Sequence, residues 1–264
     1  MRRTLLLTSA LLAATTGCAP RADVASDTAV ADSPATATSA AATSTPGAMD
    51  QTQGGAPNTL TDAERAAGWT LLFDGSTLAG WRGYNAPGKP VVGWQVVDGT
   101  ITRAEHGGDI VTDSVYRDFE LSLEWKVPPG GNSGVFYRAL ETADPIYHSA
   151  PEMQVLDDAG HVDGKNPLTS AGAAYGLYAP PAGVVKPAGE WNTARVVVRG
   201  NAVEHWLNGQ KVVSYELGSA DWKAKVAASK FNDWKAYGTG QEGRIGLQDH
   251  DDRVQFRSIK LRAL

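Results

Sequence analysis

Between residues 118 and 127 the chain alternates strictly, with Leu121, Leu123, Trp125 and Val127 at odd positions and Ser122, Glu124 and Lys126 between them. A period of two is the signature of a β-strand with one buried and one wet face. Residues 69–73, 94–97, 133–139, 152–156, 193–199, 203–207 and 212–215 are rich in β-branched and aromatic residues between Gly, Pro and Asn punctuation, and they read as further strands. Residues 245–250 and 254–260 supply two more near the end. Gly200-Asn201 and Asn208-Gly209 suit hairpin turns, because both residue types accept a positive φ. Helix is scarce. Thr61-Asp62-Ala63-Glu64 forms a capping box for one short helix that Gly68 ends, and residues 220–230 carry Trp222 and Val226 on one side of a second. Many short strands with little helix predict an all-β, two-sheet antiparallel sandwich, a jelly roll with short peripheral helices.

Two of these strands carry chemistry. In Glu152-Met153-Gln154-Val155-Leu156-Asp157, Met153 and Val155 go to the core while Glu152 and Gln154 share the other face. In Ile245-Gly246-Leu247-Gln248-Asp249-His250, Ile245 and Leu247 take the apolar side and Gln248 and His250 the polar one. Two strands far apart in sequence thus each present a hydrogen-bonding, proton-handling face, as a cleft for a polyhydroxylated ligand requires.

The first residues bear on location. Arg2 and Arg3 precede an apolar run over residues 5–14 and then Thr15-Thr16-Gly17-Cys18. This is the layout of a bacterial secretory signal, and the run is too short to span a bilayer. Small residues before Cys18, the only cysteine in the chain, resemble a lipobox, although Thr15 stands where Leu is usual. Residues 1–18 are therefore expected to be a lipoprotein signal ending at an acylated Cys18. That places the protein in the cell envelope, at the outer membrane or periplasm, with the lipid anchor as its one membrane contact. Residues 19–58, nearly all Ala, Thr, Ser, Pro and Gly with a few charges, cannot bury enough surface to offset their ordering entropy and read as a tether. Residues 60–264 are long enough for one domain. A net charge of −5 without a basic cluster argues against nucleic acid as a partner.

The ordered set 119–125, 132–138, 152–157, Gly189-Glu190-Trp191-Asn192 and 246–250, opened by Leu72-Phe73-Asp74-Gly75 with Leu78 and Trp81 and closed by 254–260, resembles the 3-keto-disaccharide hydrolase domain family of bacterial secreted proteins and lipoproteins. The resemblance implies a sandwich of the concanavalin A-like lectin and glucanase type whose concave face binds a carbohydrate. It also implies cleavage of glycosides already oxidised to a ketone at carbon 3.

For such a substrate the ketone acidifies the hydrogen on carbon 2. A base removes it, the enolate expels the group on carbon 1, and water adds there to complete net hydrolysis; without the water the enzyme is a lyase. Glu152 and His250 are the alternatives for the base. Arg138 is the expected enolate clamp, with Gln154 and Gln248 on sugar hydroxyls or the oxyanion. Glu124, facing away from Leu123 and Trp125, is expected on the same concave face; Asn132 joins the substrate-binding set and Trp234 is the sugar stacker. No cofactor is implied, a divalent ion at the enolate is left open, and nothing suggests a nicotinamide or flavin site, so the oxidation belongs to another protein. Three other readings stand beside this one. Glu152 and Arg138 form a buried ion pair; the chain is a non-catalytic sugar-binding domain; or it is a two-carboxylate glucanase, against which Gln154 replaces the middle acid of the laminarinase-type strand and Asp157 has the wrong parity. The loop around His161 matches no calcium pattern.

Overall fold

The computed structural model describes residues 55–264. The proposed signal, Cys18 and nearly all of the tether lie outside the described residues. After helix α1 (Asp62–Ala66), whose capping box of Thr61 and Glu64 forms as the sequence predicts, thirteen strands follow. They are β1 (Thr70–Leu71), β2 (Trp81–Gly83), β3 (Trp94–Val97), β4 (Thr100–Arg103), β5 (Ile110–Thr112), β6 (Phe119–Lys126), β7 (Asn132–Ala139), β8 (Glu152–Leu156), β9 (Asn192–Arg199), β10 (Ala202–Leu207), β11 (Gln210–Glu216), β12 (Arg244–Leu247) and β13 (Gln255–Ala263). A second helix, α2 (Ala220–Ala227), lies between β11 and β12. It stops three residues short of the sequence expectation, and Lys230–Asp233 form a separate 3₁₀ turn capped by Ser229.

Eight strands pair in the order β11-β10-β9-β6-β13-β4-β3, with β1 also on β13; five pair as β2-β5-β12-β7-β8, and every ladder is antiparallel. This is the two-sheet jelly-roll sandwich that the alternation predicts. Leu121, Leu123 and Trp125 from the larger sheet meet Val135, Met153, Val155, Ile245 and Leu247 from the smaller one in one core. Removing any of these side chains would cost several kcal/mol, about 3–5 for Trp125→Ala. Gly200 and Asn208-Gly209 adopt positive φ at the β9–β10 and β10–β11 turns, as their sequence implies.

A buried polar chain ties the layers together. His205 Nδ1 lies 3.1 Å from the Gly172 carbonyl, which only accepts, so Nδ1 carries the proton and Nε2 accepts from the Tyr137 hydroxyl at 2.9 Å. Tyr137 in turn accepts from Tyr215. Burial holds the imidazole neutral down to about pH 4. The chain fixes residues 172–175, which run beside β8 through Gly172 N–H to Gln154 O, Gln154 N–H to Ala173 O and Tyr175 N–H to Glu152 O.

Candidate active site

The outer face of the five-stranded sheet is built in rows. Arg82, Val111, Gly246, Phe136 and Glu152 stand side by side across β2, β5, β12, β7 and β8. Two positions on, where side chains return to the same face, the row is Tyr84, Asp109, Gln248, Gly134 and Gln154: Tyr84 N–H bonds Asp109 O, Gln248 N–H bonds Gly134 O, and Gly134 pairs with Gln154. Ile146 and Ala150 cover Val111 and Phe136 in the first row. In the second row Asp109 and Gln248 are only half-buried.

Glu152 leans out of its own row into the gap left by Gly134. A Cβ there would fall 2.1 Å from Glu152 Oε1, so only glycine leaves space for the carboxyl. The residue is 7% exposed, and its carboxyl has no hydrogen-bond partner among the described residues. Burial pushes its pKa up to about 8; the Lys230 ammonium opposes the shift, and the carboxylates of Asp109 and Asp163 add to it.

Next to Gly134, Gln248 and Asp109 line a cavity of about 650 Å³, shared with Tyr84, Tyr147 and His250 and within the range of small-ligand pockets. The Gln248 side chain has no protein partner among the described residues. Asp109 Oδ1 accepts the Asp249 N–H at 2.9 Å. Burial raises the Asp109 pKa to about 6 against that hydrogen bond, and the charges of Asp249 and Asp144 raise it further. His250 is exposed at the rim, its Nε2 3.4 Å from Asn132 Nδ2 and its ring edge-on to His161. An aromatic cluster adjoins Tyr147 outside that cavity: Trp234, which lines a separate cavity with Trp222 and Phe231, lies 4.4 Å from His148 and 5.2 Å from Tyr147, and Lys230 Nζ sits 4.6 Å from the Tyr175 ring centre.

Residues 68–262 match the model of the 3-keto-alpha-glucoside-1,2-lyase-like domain. The chain belongs to this family. A 3-keto-disaccharide hydrolase of Bacteroides thetaiotaomicron is 37% identical over 231 residues, which cover 75% of this chain and 79% of that protein. A crystal structure from Parabacteroides distasonis ATCC 8503, assigned to the glycosyl hydrolases, superposes with a TM-score of 0.74 at 36% identity, covering 79% of this chain and all of the other. A second from the same organism gives 0.57 at 28% identity, covering 74% and 99%.

In this member of the 3-keto-alpha-glucoside-1,2-lyase-like family, the structure puts Gln248 and His250 on the wall of one cavity, leaves Glu152 buried over Gly134 on the same sheet face, and relocates other expected residues. Arg138 is not at the cleft. Its φ of 53° and the register shift opposite β12 form a bulge that turns the side chain away, and its guanidinium donates to the carbonyls of Arg117 and Gly200 and approaches Asp118 at 3.4 Å. It is therefore neither an enolate clamp nor the partner of Glu152. Glu124 lies on the outer face of the other sheet, 2.8 Å from Arg257 Nε. Strand parity had placed it facing away from the core, but the sandwich has two such faces. Gln154 is on the correct face yet buried beneath residues 167–170, its Nε2 donating to Thr169 O at 3.1 Å. Asn132 is likewise buried and anchors the rim loop through its N–H to Asp252 at 3.0 Å. Asp157 is taken by the amides of Gly130 and Ala159.

Asp109 and Lys230 are site residues that sequence reading missed. Asp109 stands alone after Gly107-Gly108, just before a strand too short to show alternation, and Lys230 follows a helix that the pattern extends over it. Among the described residues, His106, Asp249 and Asp251 form one cluster with spacing suited to a cation, but Arg103 already bonds Asp249 at 2.7 Å and Asp251 at 2.9 Å. An ion there would have to displace a guanidinium.

Proposed function

We propose that the cleft cleaves glycosides carrying a ketone at carbon 3, by loss of the carbon 2 proton, expulsion of the group on carbon 1 and addition of water to the unsaturated sugar. The observation that carries this reading is the Glu152 carboxyl, buried, without a protein partner and still protonated near neutral pH. A carboxylic acid kept neutral beside a cavity of sugar size is equipped to protonate a departing oxygen. The aglycone then leaves as an alcohol. Lys230, in place of Arg138, is the nearby cation that favours negative charge in the cleft, and Gln248 offers amide groups to the sugar. Family membership and the 3-keto-disaccharide hydrolase relative support the substrate class. The lyase and hydrolase names describe the same elimination, ended before or after water adds.

The presence of Asp109 near Glu152 favours a second reading, hydrolysis of ordinary glycosides by two carboxyl groups. One assay separates them: the purified domain is given a plain α-glucoside disaccharide and its 3-keto form. Release of the second sugar from the keto form alone supports elimination; equal release from both supports the two-carboxylate route. Binding of both with no release leaves a lectin. In the cell, the expected signal and Cys18 would hold the domain at the envelope, and a Cys18→Ser variant recovered free of membranes would support that placement.

A further inference from the structure

Elimination from a 3-keto sugar needs two proton transfers of opposite direction, and one protonated carboxyl supplies only the second. We propose that Asp109 is the base that takes the carbon 2 proton, with Glu152 as the acid at the carbon 1 oxygen. This assignment rests on the keto-glycoside reading above.

The geometry singles out Asp109. It projects from the same sheet face as Glu152, in the row that contains Gln248 and Gly134, and it lines the large cavity. Asp249 N–H holds its Oδ1, while Oδ2 has no hydrogen-bond partner among the described residues and is free for substrate. Its surroundings favour a strong base. Asp144 and Asp249 face it, Asp249 being itself tied to Arg103, and Lys89 and His250 lie on the same cavity wall. Glu152 meets Lys230 and Asp163 as well as Asp109. The two carboxyls are displaced in the same direction but unequally, to about 6 and about 8. Between those values Asp109 is ionised and Glu152 protonated, the pairing that base-then-acid chemistry requires. His250, the other group expected from sequence, is exposed at the rim and lacks that enclosure.

Atoms and charges balance. Asp109 carboxylate accepts the carbon 2 proton, and the C–H electrons form the enolate with the carbon 3 oxygen. As the carbonyl re-forms, a carbon 1–carbon 2 double bond appears, the glycosidic C–O bond breaks, and its oxygen takes the Glu152 proton. In the return half, Glu152 carboxylate accepts a proton from water as its oxygen joins carbon 1, and Asp109 returns a proton to carbon 2. Both carboxyls end as they began.

The test uses methyl 3-keto-α-glucoside in D₂O, with exchange at carbon 2 and methanol release followed together by NMR. Asp109→Asn keeps an acceptor for Asp249 N–H, and it is expected to lose both exchange and release by on the order of 10²-fold or more. Glu152→Gln is expected to keep exchange near the wild-type rate and lose release. Asp109→Ala with added formate should regain exchange, which a purely structural residue would not allow. Exchange retained in Asp109→Asn but lost in Glu152→Gln would assign the base to Glu152, and exchange retained in both would place it elsewhere. Wild-type methanol release giving a hydrated sugar with only protium at carbon 2, or equal release from the plain methyl glucoside, would instead overturn the elimination reading itself.

Discussion

The Glu152 side chain lies across Gly134: a Cβ built on Gly134 would stand 2.1 Å from Oε1, 2.7 Å from Cδ and 2.9 Å from Cγ of Glu152. The φ of Gly134 is not in the positive range, so alanine fits the backbone and the nearest collisions are all with the Glu152 side chain. Gly134→Ala should therefore displace Glu152 while the sandwich still unfolds cooperatively. The expected result is a fall in kcat of about 10²-fold, the scale of lost acid–base help, with a melting temperature within a few degrees of wild type. Full activity in a folded Gly134→Ala protein would mean that the position of this carboxyl is irrelevant.

The pH dependence follows from the same residue. Activity that needs protonated Glu152 falls as pH rises through about 8, and activity that needs ionised Asp109 falls below about 6. A bell-shaped kcat/KM profile between those limbs is expected. Lys230 lowers the Glu152 value by favouring its charged form, so Lys230→Met should move the alkaline limb upward and leave the acid limb in place. An alkaline limb that stays put in Lys230→Met would show that Lys230 does not act on Glu152.

Glu152 also carries a stability cost. Its folded pKa of about 8 is above the unfolded value of about 4.3, so between those pH values the unfolded chain gives up a proton that the folded one keeps. Stability contributed by this group is present at low pH and is lost as pH rises from about 4 through about 8, at roughly 1.4 kcal/mol per unit. Glu152→Gln should stabilise the protein at pH 8 by a few kcal/mol and by little at pH 4.5. Urea unfolding at the two pH values checks this; an equal effect at both would place the carboxyl in water.

Arg138 is expected to behave in the opposite way. Its guanidinium links β7 to Arg117, Asp118 and the Gly200 turn, so Arg138→Lys should cost about 1–3 kcal/mol through hydrogen bonds lost by a buried side chain. The kcat of the folded fraction should stay near wild type. A large loss of kcat without loss of stability would return Arg138 to the reaction.

These contrasts mark what local pattern carries and what it does not. Period-two alternation in β6 and the punctuation around β8 through β11 fix strands closely, because each strand buries one face and cannot slip by a residue. The Glu152 and Gln248 sides were legible for the same reason. Arg138 was not, since a single positive φ reverses parity and the sequence around it looks like an ordinary strand. Glu124 shows a second limit: alternation says that a side chain leaves the core but not from which sheet. Asp109 joins Glu152 only through the pairing of β5, β12, β7 and β8, a relationship between distant segments that no local motif encodes.

The most direct measurement of elimination is the isotopic content of the product. A 3-keto disaccharide is cleaved by the wild-type enzyme in D₂O, and the released 3-keto sugar is analysed at once by NMR and mass spectrometry against an enzyme-free control. The account predicts one deuterium at carbon 2 in each molecule of product, acquired when the unsaturated sugar is hydrated. Complete cleavage giving a product with only protium at carbon 2 would contradict it.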